Sequence, residues 1–260
     1  MKKRDLQQEI IQRVEFIRNV LTDARAEGIV FGNSGGKDSA LVGILCKMAC
    51  ENTLGVIMPC ESKQNFLQDK QDAETLAKQF DIETKIVDLT QTKKTIVEAL
   101  DCEISQTALA NIAPRLRMTT LYAIAASENR LVAGTGNRCE AYMGYFTKWG
   151  DGAFDFNPIA DLTVSEIYDF LKFLNAPQTI IEKTPSAGLF DGQTDESEMG
   201  VSYKSIEKYL FGEEVPEQER EIIKCFRKRS EHKREKVVLY DFQQNKHSEY
   251  KFSIKTLYQI

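Results

Sequence analysis

A short apolar run that stops at a glycine-rich turn and passes directly into a helical pattern limits the fold of this chain more than any other feature. Residues 28–31 are Gly-Ile-Val-Phe, which is typical of a buried strand. The turn over residues 32–38 contains three glycines, and an apolar helical pattern begins at Ser39. Backbone N–H groups without helical partners collect at such a helix start, and glycine lets the backbone approach an anion closely. The sequence therefore predicts an anion-binding loop at the end of a strand in an α/β fold.

Apolar strands alternate with helical patterns over the first half of the chain, which predicts βαβ units and a parallel sheet. Strands are predicted at 28–32, 53–59, 84–88 and 130–134. Helices are predicted at 4–26, 39–50, 68–80, 92–100, 104–112, 114–128, 164–174, 178–183, 202–211 and 216–231. Pro114 is expected to begin a helix, and residues 135–158 are predicted to form a long loop with little regular structure. Because parallel strands point the same way, the loops after the first and fourth strands should open on one crevice.

The length and charge of the chain exclude several classes of protein. At 260 residues, of which 28% are charged, the chain suits one domain spanning residues 1–260. It has no apolar run near the roughly 20 residues of a membrane span and no apolar signal-peptide core at its start, which predicts a cytoplasmic protein without a membrane partner. The net charge of −5 argues against a nucleic-acid partner. The six cysteines include no Cys-x-x-Cys pair, which argues against a zinc, iron–sulfur or disulfide framework.

The polar residues of the glycine loop suit a phosphate and a divalent cation. Ser34 and Ser39 offer hydroxyl donors, and Lys37 offers a cation. Asp38 offers a carboxylate that is able to hold Mg²⁺. The loop is not a Walker A loop, because an aspartate follows its Gly-Lys pair, and its glycine spacing differs from the dinucleotide-binding fingerprint.

A second polar cluster follows the fourth predicted strand. Glu140 could supply a second Mg²⁺ carboxylate opposite Asp38. Lys148, Asp151 and Asp155 lie among aromatic residues and glycines. This composition suits an anion- or ring-binding lid, and it also suits an ordinary loop whose charges are solvated.

Three other charged stretches carry weaker signals. Arg115 and Arg117 are two residues apart in a predicted helix, so their side chains should point in different directions, one toward a ligand and the other toward a structural contact. The acidic stretch 191–198 is interpreted as a solvated connection between helices. The basic run 224–234 is interpreted as a solvated helix face, with polyphosphate or nucleic-acid contact as the alternative.

The order of these clusters resembles one enzyme family. The loop Ser-Gly-Gly-x-Asp-Ser resembles the pyrophosphatase loop of enzymes that cleave ATP between its α- and β-phosphates. Segments 115–118, 144–152 and 193–203 are similar to motifs of the ammonia-dependent NAD synthetases, and the resemblance covers most of the chain. It implies a three-layer Rossmann-like α/β fold, adenine nucleotide alpha-hydrolase-like, with a parallel sheet, a helical C-terminal part and no amidase domain.

The resemblance also implies a reaction. The implied enzyme is a C–N-forming ligase that amidates deamido-NAD (nicotinic acid adenine dinucleotide) to NAD through an NAD-adenylate intermediate. Ammonia is the nitrogen donor, ATP is a co-substrate, Mg²⁺ is the cofactor, and AMP and pyrophosphate are released. The resemblance further implies a homodimer.

The resemblance assigns roles to residues at matching positions. The implied ATP-binding residues are Gly32, Asn33, Ser34, Gly35, Gly36, Lys37, Asp38, Ser39, Thr135 and Ser186. The implied metal ligands are Asp38 and Glu140, and the implied deamido-NAD-binding residues are Arg115, Lys148, Asp155, His232 and Lys233. We expect Asp38 and Lys37 to act in catalysis, and we hypothesise that Asp151 or Asp155 binds ammonium and takes its proton. The chain departs from the family at Val164, where several members carry an ATP-contacting lysine, so a contact there must come from another group.

Two alternatives share the glycine loop. One is another adenylating enzyme of the same superfamily, either GMP-synthetase-like or tRNA-modifying. The other is a nucleotide-binding protein without catalysis, which would not need the two carboxylates Asp38 and Glu140. Pyrophosphate release with each candidate acceptor separates these alternatives.

Overall fold

A parallel sheet of four strands organises the structure, a computed structural model that describes residues 4–61, 65–183 and 194–240. The strands are β1 (Gly28–Gly32), β2 (Thr53–Ile57), β3 (Glu83–Ile86) and β4 (Arg130–Ala133). Their order in the sheet is β3-β2-β1-β4, so β1 is paired on both sides. Phe31 is in register with Gly55 of β2 and Ala133 of β4. The predicted parallel sheet is confirmed, and the glycine loop leaves one of its two central strands.

Eleven helices are present in the described residues. They are α1 (Leu6–Ala24), α2 (Lys37–Ala49), α3 (Lys70–Gln79), α4 (Thr90–Ala99), α5 (Gln106–Ser127), α6 (Arg138–Met143), α7 (Val164–Phe173), α8 (Gln178–Ile181), α9 (Asp195–Met199), α10 (Tyr203–Leu210) and α11 (Glu217–Arg229). A π-helical turn, Asn65–Asp69, precedes α3, and a 3-10 turn, Glu231–Lys233, follows α11. Within the described ranges, no helix combines the length and the apolar character that a membrane span requires.

Helices cover both faces of the sheet, which explains why β1 is a continuous apolar run. Ile29 and Phe31 point to one face, where they pack with α1, α2 and α7. Val30 points to the other face, where it packs with Leu121 and Ile124 of α5. These layers confirm the predicted three-layer α/β fold. A third apolar cluster joins α6, α7, α9, α10 and α11, and it builds the helical C-terminal part beside the sheet.

The apolar face of α1 belongs to the core. Ile10, Val14 and Ile17 are buried and pack in the same cluster as α2. On its polar side, Arg13 pairs with Asp161 at 2.6 Å and with Glu9 at 2.8 Å. The pair with Asp161 joins α1 to the segment that leads into α7, and the pair with Glu9 lies within α1.

The prediction that Pro114 begins a helix is wrong. A single helix, α5, runs through this position, with Ser105 as its N-cap. A proline inside a helix removes one backbone hydrogen bond and crowds the preceding turn. Here Pro114 is buried and Ala113, Leu121 and Ile124 pack on the sheet side of the same helix, so tertiary packing on both sides of the proline offsets that cost.

The prediction that residues 135–158 have little regular structure is also wrong in part. Helix α6 begins directly after β4, and its first turn contains a capping box. The Asn137 side chain accepts a hydrogen bond from the Glu140 N–H group at 3.0 Å, and the Glu140 side chain accepts one from the Asn137 N–H group at 2.9 Å. The Asn-x-x-Glu spacing is a helix-start signal that is visible in the sequence.

Candidate active site

The glycine loop joins β1 to α2 in a conformation that requires glycine. Gly35 has a φ angle of +72°, and a Cβ atom at this position would overlap the carbonyl oxygen of Asp69. Ser34 Oγ lies 3.0 Å from Ser39 Oγ and accepts a hydrogen bond from the Gly36 N–H group at 3.3 Å. Helix α2 begins at Lys37 without a side-chain cap, so its first N–H groups are available to an anion.

The loop is fixed to the fold on its inner side. Asn33 is 1% exposed, and its side chain donates a hydrogen bond to the Ala73 carbonyl oxygen of α3 at 3.1 Å. The Asn33 backbone N–H group donates to the Val56 carbonyl oxygen at 2.9 Å, which extends the β1–β2 ladder into the loop. The loop is therefore held by two elements before any ligand binds.

Two carboxylates meet beside the loop because β1 and β4 are parallel neighbours. Asp38 lies in the first turn of α2, and Glu140 lies in the first turn of α6. Asn137 links them, since its side-chain NH₂ group donates to Asp38 Oδ1 at 3.2 Å and its backbone N–H group donates to Glu140. Lys37 Nζ lies 2.8 Å from Asp38 Oδ2.

The electrostatics of this cluster suit a divalent cation. Burial and repulsion from Asp38 raise the pKa of Glu140 well above its ordinary value, although Lys37 opposes the shift. Burial lowers the pKa of Lys37, but Asp38 and Glu140 outweigh it, so the pKa of Lys37 is raised and the side chain stays charged. Hard oxygen donors from one or two carboxylates, completed by substrate phosphates and water, are the usual Mg²⁺ environment. Asp38 and Glu140 therefore fit Mg²⁺.

These groups open on a cavity of about 850 Å³. Its walls include Ser34, Gly36, Lys37, Asp38 and Ser39 from the glycine loop. Thr135 and Glu140 line the opposite side, as the predicted common crevice requires. This volume lies within the usual range for sites that enclose a small molecule.

The segment 144–152 forms a lid that the C-terminal 3-10 turn holds in place. Lys233 Nζ donates hydrogen bonds to the carbonyl oxygens of Gly144 at 2.9 Å and Phe146 at 2.6 Å. Lys148 Nζ donates to the His232 carbonyl oxygen at 2.6 Å. Gly144 has a φ angle of +68°, and a Cβ atom there would overlap the Ser230 side chain. Glycine at this position lets the end of α11 approach the lid.

Asp151 and Lys233 both face the cavity. Asp151 accepts a hydrogen bond from the Thr147 N–H group at 2.8 Å. Although Asp151 is exposed as a residue, partial desolvation of its carboxyl group by the surrounding atoms raises its pKa, and that hydrogen bond and the charge of Lys233 oppose the shift. Burial lowers the pKa of Lys233, partly offset by Asp151. The lid and the 3-10 turn thus present a carboxyl group and an amino group to the ligand space.

Three of the predicted acceptor-binding residues lie outside the cavity lining. Arg115 is exposed and donates to the Lys148 carbonyl oxygen at 3.4 Å. Asp155 accepts hydrogen bonds from the Val132 N–H group at 2.7 Å and the Tyr122 hydroxyl at 3.1 Å. His232 and Lys233, in contrast, line the cavity. The predicted ATP-binding residue Ser186 lies outside the described residues.

Several residues of the site were not predicted from the sequence. Asp195, in the stretch interpreted as a solvated connection, is 3% exposed and accepts a hydrogen bond from the Tyr203 hydroxyl at 2.8 Å. Burial raises the pKa of Tyr203, and Glu140 and Asp195 add to the shift. Arg117, in contrast, belongs to the arginine pair of which one member was expected to point toward a ligand; it lines the cavity, which Arg115 does not, and donates to the Met58 carbonyl oxygen at 3.1 Å. Lys183 also lines the cavity, and no local sequence signal identifies it.

Comparisons with known proteins identify the family of the chain. The NAD synthase family model matches residues 9–251. The NH(3)-dependent NAD(+) synthetase of Carboxydothermus hydrogenoformans is 46% identical over 226 residues, which cover 85% of this chain and 92% of the relative. The solved structure of an NMN synthetase from Francisella tularensis has a TM-score of 0.88 and 37% identity, and the match covers 92% of this chain and 100% of that one.

A second solved structure is also similar to this chain. The NH3-dependent NAD synthetase of Campylobacter jejuni has a TM-score of 0.75 and 30% identity, and the match covers 92% of this chain and 100% of that one. The family match spans the glycine loop, both carboxylate-bearing helices, the lid and the 3-10 turn. The chain belongs to the NAD synthase family.

Proposed function

We propose that the protein is a ligase that amidates deamido-NAD to NAD with ammonia as nitrogen donor and ATP as co-substrate. The observation that carries the proposal is the pair Asp38 and Glu140, which meet beside an anion-binding loop in a cavity closed by the 144–152 lid. A binding protein would gain nothing from two partly buried carboxylates that repel each other. A ligase that handles ATP with Mg²⁺ needs them.

The first step activates the acceptor. A carboxylate is a poor acceptor for ammonia, because an oxide or hydroxide would have to leave. A nicotinate oxygen therefore attacks the α-phosphorus of ATP, the bond between the α-phosphorus and the bridging oxygen breaks, and pyrophosphate leaves. The α2 N–H groups and Lys37 stabilise the charge that develops on the phosphates. Asp38 and Glu140 would hold Mg²⁺, which would add charge neutralisation.

The second step delivers nitrogen. Ammonia attacks the acyl carbon of the adenylate, and AMP leaves with the electron pair of the cleaved C–O bond. Only NH₃ has a lone pair for this attack, so ammonium must lose a proton first. We assign Asp151 as the base that accepts this proton, because Asp151 lines the cavity and Asp155 does not.

The acceptor is held from two directions. His232 and Lys233 face the same space as the loop. Arg115, Lys148 and Asp155 lie on an outer side of α5 and the lid. We assign these three residues to the dinucleotide as well, with a homodimer completing the site, and we assign the protein to the cytoplasm.

Pyrophosphate release tests the proposal. With ATP and Mg²⁺ present, we expect release that requires both deamido-NAD and ammonium. Omission of deamido-NAD or of ammonium should reduce the rate of pyrophosphate release to background. Release driven by xanthosine monophosphate or tRNA would instead support one of the other adenylating enzymes.

Nicotinic acid mononucleotide is a second candidate acceptor. The structure with a TM-score of 0.88 is named an NMN synthetase, whereas the NAD synthetase structure compared above has a TM-score of 0.75. Both acceptors carry the same reactive nicotinate carboxylate, so the site chemistry is unchanged. Measurement of kcat/KM for the dinucleotide and the mononucleotide decides between them. A higher value for the mononucleotide would identify the mononucleotide as the acceptor.

A further inference from the structure

Lys183 follows α8 and reaches the glycine loop from the side of α3. Its ammonium nitrogen lies 2.7 Å from Asp69 Oδ1, 2.8 Å from Asp72 Oδ2 and 3.2 Å from the carbonyl oxygen of Gly35. An ammonium group has three N–H donors, and these three acceptors match them. Asp72 is 2% exposed, so the cluster is an internal part of the fold and not a surface ion pair.

The contact with Gly35 acts on the peptide that begins α2. In a planar trans peptide, the carbonyl of Gly35 and the N–H group of Gly36 point in opposite directions. A cation that holds the carbonyl therefore also sets the direction of the N–H group. The Asp69 backbone fills the space where a side chain on Gly35 would lie, which limits movement of the same peptide.

Charge adds to this geometric effect. A hydrogen bond from an ammonium group is stronger than a neutral one, and it polarises the peptide that accepts it. The N–H end of that peptide, which makes only a long hydrogen bond of 3.3 Å to Ser34 Oγ in the free protein, becomes a better donor to an anion. Because all three Lys183 donors have acceptors already, a structural action through the loop explains the residue better than a direct contact with phosphate.

We infer that Lys183 is a positioning residue for ATP, which with Asp69 and Asp72 holds the Gly35–Gly36 peptide in its phosphate-binding orientation. The inference rests on the proposed function only in taking ATP as the ligand of the loop. It adds an electrostatic connection between the loop, the start of α3 and the end of α8.

Binding of a nonhydrolysable ATP analogue, α,β-methylene ATP with Mg²⁺, tests the inference by calorimetry. Lys183→Met should weaken binding about tenfold or more, the usual cost of losing a charged hydrogen bond. In steady-state assays, KM for ATP should rise by a similar factor. KM for the acceptor and kcat at saturating ATP should change less than about twofold, because a merely destabilised protein would lose active sites without a selective change in KM.

Lys47→Met is the matched control. Lys47 lies near the opposite end of α2, its side chain is 15% exposed, and it also lies near two carboxylates, Glu51 and Asp81. This variant should bind the analogue as the wild type does. If Lys183→Met does not fold, Asp72→Asn/Lys183→Met keeps the net charge of the cluster and gives the same test.

The outcomes are distinguishable. Equal analogue binding by folded Lys183→Met and wild type would overturn the inference. Wild-type protein that binds the analogue but amidates neither acceptor would refute the proposed function and leave the binding test of Lys183 intact. Selective weakening in Lys183→Met, with Lys47→Met unchanged, would support the inference.

Discussion

At the scale of single residues, the site depends on charges that are unfavourable without a ligand. Asp38 and Glu140 repel each other, and Lys37 offsets the repulsion only in part. Lys37 is 6% exposed, so water screens these interactions weakly. The free protein therefore holds the charges in place for a bound cation and phosphates.

Glu140→Gln separates the contribution of this carboxylate to catalysis from its effect on stability. Loss of the carboxylate should lower kcat/KM at least about 100-fold, because one of the two proposed Mg²⁺ ligands is removed. The same change should raise the melting temperature of the Mg²⁺-free protein, because repulsion from Asp38 is removed and glutamine can still close the capping box. Activity assays and thermal unfolding in the presence of a chelator measure the two effects.

Glu166→Gln is the control for that substitution. Glu166 occupies the same capping-box position at the start of α7, where Thr163 is the N-cap. It does not line the cavity, so activity should stay within about twofold of the wild type. An equal loss of activity in both variants would contradict a metal-binding role for Glu140.

Asp151→Asn tests the proton acceptor. At pH 7 most ammonia is ammonium, so the rate should fall about 100-fold when the base is lost. The deficit should shrink as the pH rises, since free NH₃ then needs no deprotonation by the protein. Rates at fixed total ammonium between about pH 7 and about pH 9.5 measure this trend. A deficit that does not depend on pH would assign Asp151 to lid structure alone.

At the scale of elements, local signals predicted what lies close in sequence, and long-range packing decided the rest. The β1 boundaries and the glycine loop follow from the apolar run and its turn. The prediction of a loop over 135–158 missed α6, although the Asn-x-x-Glu spacing of its capping box is a local signal. The continuity of α5 through Pro114 was not predictable, because packing against the sheet overrides the local cost. The contact between Lys183 and Asp72 joins residues 111 positions apart, so no local pattern could indicate it.

The ion pairs of α1 give a prediction about pH. Burial raises the pKa of Asp161, but the hydrogen bond and charge of Arg13 outweigh it, so the pKa is lowered in the folded protein. The stability from this pair is therefore present above the unfolded pKa of about 3.9, and it is lost as the pH falls through the lower folded value. Since the Asp161 side chain is 54% exposed, the contribution should be below about 1 kcal/mol.

Arg13→Gln should thus destabilise the protein near neutral pH, and the difference from the wild type should shrink at acid pH. Urea unfolding between about pH 2 and about pH 6 measures the trend. Arg18→Gln is the control, because Arg18 donates to the carbonyl oxygens of Met48 and Ala49 and pairs with no carboxylate in the described part of the chain. A constant difference across this pH range would show that Arg13 acts through contacts that do not titrate, namely packing on Phe170 and the hydrogen bond to the Pro158 carbonyl oxygen.

At the scale of the whole molecule, the proposed homodimer accounts for the position of three predicted acceptor-binding residues outside the cavity. Arg115, Lys148 and Asp155 lie along α5 and the lid, and Ala123 is exposed on the same helix. In contrast, the apolar face of α1 is occupied by the core. If α5 forms the dimer interface, a partner would bring its own copy of these residues to the acceptor.

Ala123→Arg tests that assembly. The wild type should show a mass about twice the 29.6 kDa of the chain by light scattering. A large charged side chain on α5 should shift the mass to that of one chain, because an interface tolerates an unpaired buried charge poorly. Ile11→Arg adds the same side chain to an exposed position on α1, and it should remain a dimer.

In the Ala123→Arg monomer, KM for deamido-NAD should rise while binding of the ATP analogue is retained, since the glycine loop and its carboxylates come from one chain. A dimeric Ala123→Arg variant with unchanged KM would exclude α5 as the interface, and a monomeric wild type with full activity would confine the acceptor site to a single subunit.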